Sequence, residues 1–114
     1  MWHFNGEPYT AIDNKRYLGF IYRIDNLTKS KSYLGQRTFY TRSGRYYKES
    51  DWQSYTGSSN ALNQDIADGD EITKTILQFC VTKNEMNYHE TKQILLHDAL
   101  INDGFYNEWV KATI

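Results

Sequence analysis

Leu18-Gly19-Phe20-Ile21-Tyr22-Arg23-Ile24 and, after a polar break, Ser32-Tyr33-Leu34-Gly35-Gln36-Arg37-Thr38-Phe39 read as two neighbouring strands. Both runs are short and carry the aromatic and branched side chains that pack well on a pleated surface. Between them, Asp25-Asn26 and the polar residues 28–31 have turn chemistry, so the pair is expected to form a β-hairpin. Alternation along a strand puts Phe20, Tyr22 and Ile24 on one face. It puts Tyr33, Gly35 and Arg37 together on one face of the partner strand.

The flanking sequence supplies the remaining elements. Residues 1–16 show no period and hold the only proline, Pro8, which suits an irregular or edge segment. Residues 40–49 are basic and aromatic around Ser43-Gly44 and are expected to be a loop. Ser50-Asp51-Trp52-Gln53 has the spacing of a capping box and predicts a short helix over 51–56, stopped by Gly57. Ser58 or Ser59 can start a second helix with Ala61, Leu62 and Ile66 at helical spacing, ending at Gly69. Residues 71–81 return to strand character and are expected to be central. Thr82-Lys83-Asn84-Glu85 is another capping box, opening the longest helix, 84–102. On that helix Met86, Glu90, Ile94, His97 and Ile101 share the inward face, with Leu96 and Leu100 alongside. Asp103-Gly104 ends it before an aromatic tail, residues 105–109. The order β-β-α-α-β-α predicts one α+β domain over 1–114, an antiparallel sheet packed with helices.

At 114 residues the chain is sized for a single core, and no apolar run approaches the roughly 20 residues that span a bilayer. The start has no signal-peptide core and Cys80 is the only cysteine, so no membrane association and a reducing, cytoplasmic setting are expected. The net charge of −1 conceals a bipolar distribution. Residues 15–48 carry nine basic residues against one acid, Asp25, a net +8, and the rest of the chain carries −9. Six tyrosines, Tyr17, Tyr22, Tyr33, Tyr40, Tyr46 and Tyr47, lie among those cations. Such a surface suits a polyanion with stackable bases, and it equally describes a solvated basic face.

Glu90 breaks its apolar stripe. A buried carboxylate must pair, protonate or hold a metal, because leaving it alone costs several kcal/mol. A structural ion pair is the ordinary outcome, as a packed imidazole is for His97. His89-Glu90 is not a zinc motif, since the second histidine of H-E-x-x-H would fall at Gln93. Cys80 has no base near it in sequence and suits an inert core position. The sequence contains no glycine-rich phosphate loop, although a helix beginning at Ser58-Ser59 could offer backbone N–H groups to a phosphate.

Taken in order, these elements resemble a known family. Phe20-Ile21-Tyr22, ten residues, then Tyr33-Leu34-Gly35 is similar to the paired signature of GIY-YIG nucleases, with Gly19 one place early. A helical glutamate, Glu90, and a downstream asparagine, Asn107, follow in the family's order. Residues 51–59, Asp-Trp-Gln-Ser-Tyr-Thr-Gly-Ser-Ser, resemble the W-x-x-Y-x-G-S-S stretch of small phage-encoded members. The resemblance spans residues 18–109.

It implies hydrolysis of DNA phosphodiester bonds with one Mg2+ or Mn2+ ion held by Glu90. Tyr22 and Tyr33 would flank the water and scissile phosphate, one acting as or assisting the general base. A free tyrosine has a pKa near 10, so that role needs positive charge nearby. The family usually supplies an arginine on the helix after the second motif, with an aromatic residue or histidine one turn on. Residues 51–56 hold no arginine. Tyr55 can fill the aromatic position, and Arg37, on the face of Tyr33, is the expected cation. Arg42, Arg45, Lys48, Ser58, Ser59 and Asn107 are the expected nucleic-acid contacts. With no separate recognition domain in view, sequence preference would be loose, or would come from a homodimer or a partner protein. The alternative is a catalytically inactive nucleic-acid-binding or anti-defence interaction protein on the same fold.

Overall fold

The structure, a computed structural model, describes residues 1–10 and 16–108. In chain order the elements are β1 (Trp2–Phe4), β2 (Glu7–Pro8), β3 (Gly19–Asn26), β4 (Lys31–Thr38), β5 (Tyr40–Ser43), β6 (Tyr46–Glu49), α1 (Asn60–Ala67), β7 (Ile72–Cys80) and α2 (Lys83–Leu96). The expected hairpin is β3–β4, antiparallel, with Tyr22 opposite Gly35 and Phe20 opposite Arg37. Five strands form one sheet in the order β2-β1-β7-β3-β4, which makes β7 central as expected. The fold is α+β.

The two faces of β3 divide the core. Phe20, Tyr22 and Ile24 pack with Trp2, Phe39, Trp52 and Leu62 on the α1 side. Ile21 meets Met86 and Cys80 on the α2 side, and Leu34 meets Ile94 and Ala99 there. The Thr82 capping box is complete: its hydroxyl accepts from Glu85 N–H at 3.1 Å, and the Glu85 carboxylate accepts from the Thr82 N–H at 3.2 Å.

Four expectations need correction. Of the two readings of the chain's start the edge one holds, since β2 with Pro8 is an edge strand, but β1 beside it pairs β7 in parallel, which makes the sheet mixed rather than wholly antiparallel, and seats Trp2 in the core. Residues 40–49 are a second hairpin, β5–β6, rather than a loop. Residues 51–54 form a turn, not a helix, because its carbonyls are taken by distant donors. Trp2 Nε1 donates to the Trp52 carbonyl at 2.6 Å and Lys74 Nζ to the Gln53 carbonyl at 3.0 Å, where a helix would use N–H groups four residues on. Finally, α2 stops at Leu96. Asp98 adopts a left-handed φ of 50°, its N–H bonds to the Leu95 carbonyl and the Ala99 N–H to the Ile94 carbonyl. This is the glycine-type helix stop built without glycine, closed by the Ala99–Ile94 contact. Ile101 is consequently 84% exposed, Leu96 and Leu100 are also exposed, and His97 caps the helix instead of lining it. Lys15 and Trp109 lie outside the described residues. Among the described residues no helix is long and apolar enough to cross a membrane.

Candidate active site

β4 is the last strand of the sheet, and a cleft of about 640 Å³ runs along it. Its beginning is covered by the C-terminal stretch: Tyr106 N–H donates to the Ser32 carbonyl, and the Asn107 side chain both accepts from Leu34 N–H (3.0 Å) and donates to the Leu34 carbonyl (2.8 Å). Further along, at Gly35, groups from both sides of the sheet meet. Tyr22, Tyr33 and Tyr55 come from the α1 side, and Glu90 comes from α2. Helical spacing from Met86 to Ile94 turns Glu90 inward, where it is 8% exposed.

Two glycines shape this meeting point. A Cβ at Gly35 would overlap the Tyr22 hydroxyl and ring. A Cβ at Gly57 would lie 3.0 Å from the Tyr33 ring and 3.1 Å from the Tyr22 hydroxyl, and Gly57 holds a φ of 84°. Both phenols therefore fit between two bare stretches of backbone. The Tyr22 and Tyr33 ring centroids are 6.2 Å apart, and Tyr55 stands edge-on to Tyr22 at 6.1 Å. The Tyr33 hydroxyl is 3.0 Å from Ser58 Oγ.

Burial pushes the Tyr22 pKa well above the ordinary tyrosine value; the other two phenols and Glu90 add to the rise and Arg37 opposes it. Tyr33, half-buried, is raised for the same first reason, with the Ser58 hydrogen bond pulling the other way. Both phenols are thus protonated near neutral pH. Arg37 lies with its guanidinium 4.4 Å above the Tyr55 ring and ion-pairs with Asp51. The structure thus brings the expected cation, on β4 as read, against the expected aromatic residue, although the helix that was to carry Tyr55 does not form.

The other expected contacts divide. Ser58 lines the cleft, and Ser59 also does, but as N-cap of α1, where its hydroxyl accepts from Leu62 N–H at 3.2 Å. Asn107 lines it too, with its amide given to β4. Arg42, Arg45 and Lys48 stand apart on β5–β6. Sequence reasoning missed Glu108 and Gln36 in the lining, and read Gly57 as a helix stop and as part of the W-x-x-Y-x-G-S-S stretch, but not as the backbone against which the two phenols pack. The x-G-S-S stretch was the available signal for Gly57; Glu108 offered none.

Among the described residues no group of three or more His, Cys, Asp and Glu side chains converges. The cleft instead offers Glu90 and, from an exposed position, Glu108. One or two carboxylates, with water and phosphate oxygens completing the shell, is a donor set that fits Mg2+ or Mn2+ and not a structural zinc.

Comparison with known proteins adds one finding. The family model described as "Putative endonuclease segE, GIY-YIG domain" matches residues 2–110. No curated protein and no solved structure matches the chain.

Proposed function

The chain belongs to the GIY-YIG nuclease family, and from that premise we propose that it is a divalent-metal-dependent DNA endonuclease that hydrolyses phosphodiester bonds in the β4 cleft. One observation carries the reading: Glu90 lines the same cleft as Tyr22 and Tyr33, and comes to it from the opposite side of the sheet.

Glu90, with Glu108 at hand, would hold the cation. Bound there, Mg2+ or Mn2+ supplies positive charge for the phosphate oxygens and the leaving oxygen. The protein's own groups do the rest. Tyr33, the more accessible phenol, orients the attacking water and a phosphate oxygen through its hydroxyl. Tyr22, fixed between Gly35 and Gly57, holds that geometry from beneath. Burial raises both phenols, so with no cation bound their hydroxyl groups donate hydrogen bonds near neutral pH; with the cation's charge opposing that rise, one of the two would assist as general base, taking the attacking water's proton. Arg37, held by Asp51 and Tyr55, adds fixed positive charge for the transition state. One such cleft breaks one strand, so nicking is the primary product.

A supercoiled plasmid tests this. Wild type with Mg2+ or Mn2+ should convert it to the open circle. Glu90→Gln should slow the conversion by about a thousandfold or more, while keeping a melting temperature close to wild type and binding DNA in chelator. Equal cutting by Glu90→Gln refutes the assignment. A wild type that binds DNA but cuts with neither metal favours the inactive, binding-only reading, for which the Arg37–Asp51 ion pair is the structural argument.

A further inference from the structure

The basic segment does not survive folding as one surface. Arg23 pairs with Asp25 at 2.9 Å, Lys29 with Asp65 and Asp70 at 2.5 and 3.1 Å, and Arg37 with Asp51. Among the described residues Arg16, Lys31, Arg42, Arg45 and Lys48 make no ion pair; Arg16 and Lys31 lie apart, against the Tyr17 and Tyr106 rings, and the other three share one element, the β5–β6 hairpin and its turn. The hairpin's strands pair with each other and, among the described residues, with no other strand. Its base is fixed: Phe39 is fully buried, Ser50 N–H donates to the Phe39 carbonyl at 2.8 Å, and Ser50 Oγ donates to the Thr38 carbonyl at 2.7 Å. Its tip turns through Gly44 and Arg45, with Gly44 at a φ of 61°, as a two-residue turn with glycine in first place requires.

Register distributes the side chains over both faces. Arg42 lies opposite Tyr47, with its guanidinium 6.0 Å from that ring, and Lys48 lies on the other face with Tyr46. Tyr46 and Tyr47 are 79% and 71% exposed, in a chain whose other large aromatic rings mostly fill the core. The acid at the base, Glu49, is on the face of Arg42 and Tyr47 and accepts a hydrogen bond from Trp52 Nε1 at 3.1 Å. The result is a ribbon about 13 Å long with cations and flat rings on both sides and at its end.

We infer that the β5–β6 hairpin is a DNA-gripping arm that lies in the major groove of duplex DNA, resting on the nuclease reading only for its expectation of a DNA substrate. Charge complementarity selects a polyanion. The two-sided distribution selects a groove over a flat surface, since only a groove presents phosphates to both faces of a ribbon. Two strands about 4.8 Å apart fit a groove about 12 Å wide. The arm follows Arg37 by three residues, so the grip and the cleft share strand β4 as their rigid link.

The test is binding of a duplex of about 20 base pairs in chelator, by fluorescence anisotropy over a range of salt, for wild type and two variants. The triple variant Arg42→Ala, Arg45→Ala, Lys48→Ala should flatten the log–log salt slope by about two to three units. The double variant Tyr46→Ala, Tyr47→Ala should weaken binding with the slope unchanged. Methylation of guanine N7, on the major-groove edge, should interfere with wild-type binding and not with the triple variant's. An unchanged slope in the triple variant, or no interference in wild type, overturns the proposal. Because no metal is present, these outcomes stand whether or not the wild type cuts plasmid, so failure of the arm and failure of the nuclease reading are separable.

Discussion

Gly35→Ala probes the point where the hairpin motif becomes a site. The added Cβ would occupy the space of the Tyr22 hydroxyl and its ring carbon, with a further ring carbon at 3.1 Å. Tyr22 is 1% exposed and boxed in by Trp2, Phe20 and Tyr55, so its ring cannot simply swing away. Overpacking of this kind costs about 1–3 kcal/mol. In a domain of this size about 2 kcal/mol lowers the melting temperature by roughly 10 °C. Displacing the Tyr22 hydroxyl should also reduce plasmid nicking well beyond what the lost stability explains, since the variant remains folded at the assay temperature. Tyr22→Phe removes the nearest atom, so the double variant should recover about 1 kcal/mol of the Gly35→Ala penalty, a coupling measurable by urea melts of the four proteins. A Gly35→Ala penalty under 0.5 kcal/mol, or one unchanged in the Tyr22→Phe background, would refute the argument, because β4 would then have moved away from Tyr22 at no cost.

Two further outcomes follow from the aromatic core and its buried lysine. Trp52→Ala should cost about 3–5 kcal/mol, since the ring is fully buried against Phe39 and Tyr9, whereas Tyr55→Phe should leave the melting curve nearly unchanged and slow cleavage; the reverse ranking in thermal melts would contradict the placement of both. Burial pulls the Lys74 ammonium down to about 8, so between that pH and the ordinary lysine value the unfolded chain binds the extra proton and stability rises with pH. Relative to Lys74→Met, wild type should gain about 1–2 kcal/mol between pH 7.5 and pH 10 in urea melts, the figure allowing for partial solvent contact; a constant difference would exclude the effect.

Much of this protein was legible in single stretches of sequence, wherever the deciding contacts lie between residues close in the chain. The β3–β4 hairpin, the alternation that groups Phe20 with Tyr22 and Tyr33 with Arg37, the Thr82 capping box and the inward turn of Glu90 all rest on neighbours within a strand or a helical turn. Distance along the chain marks where that reading stops. Residues 51–56 carry a helix signal of their own, and it loses because Trp2 and Lys74, from 50 residues before and 21 residues after their partners, take the carbonyls a helix would need. The parallel docking of β1 is invisible until β7 provides an edge for it. The stop at Asp98 needs no glycine because Ala99 gains a contact with Ile94 that offsets the left-handed φ. The cleft is the extreme case, since its groups come from opposite sides of a sheet and meet only because β4 is an edge strand with glycine at position 35. Local pattern chose the β3–β4 hairpin and the two helices that formed; that Arg23, Lys29 and Arg37 are paired while Arg42, Arg45 and Lys48 are not was settled by which acids the fold brought against them.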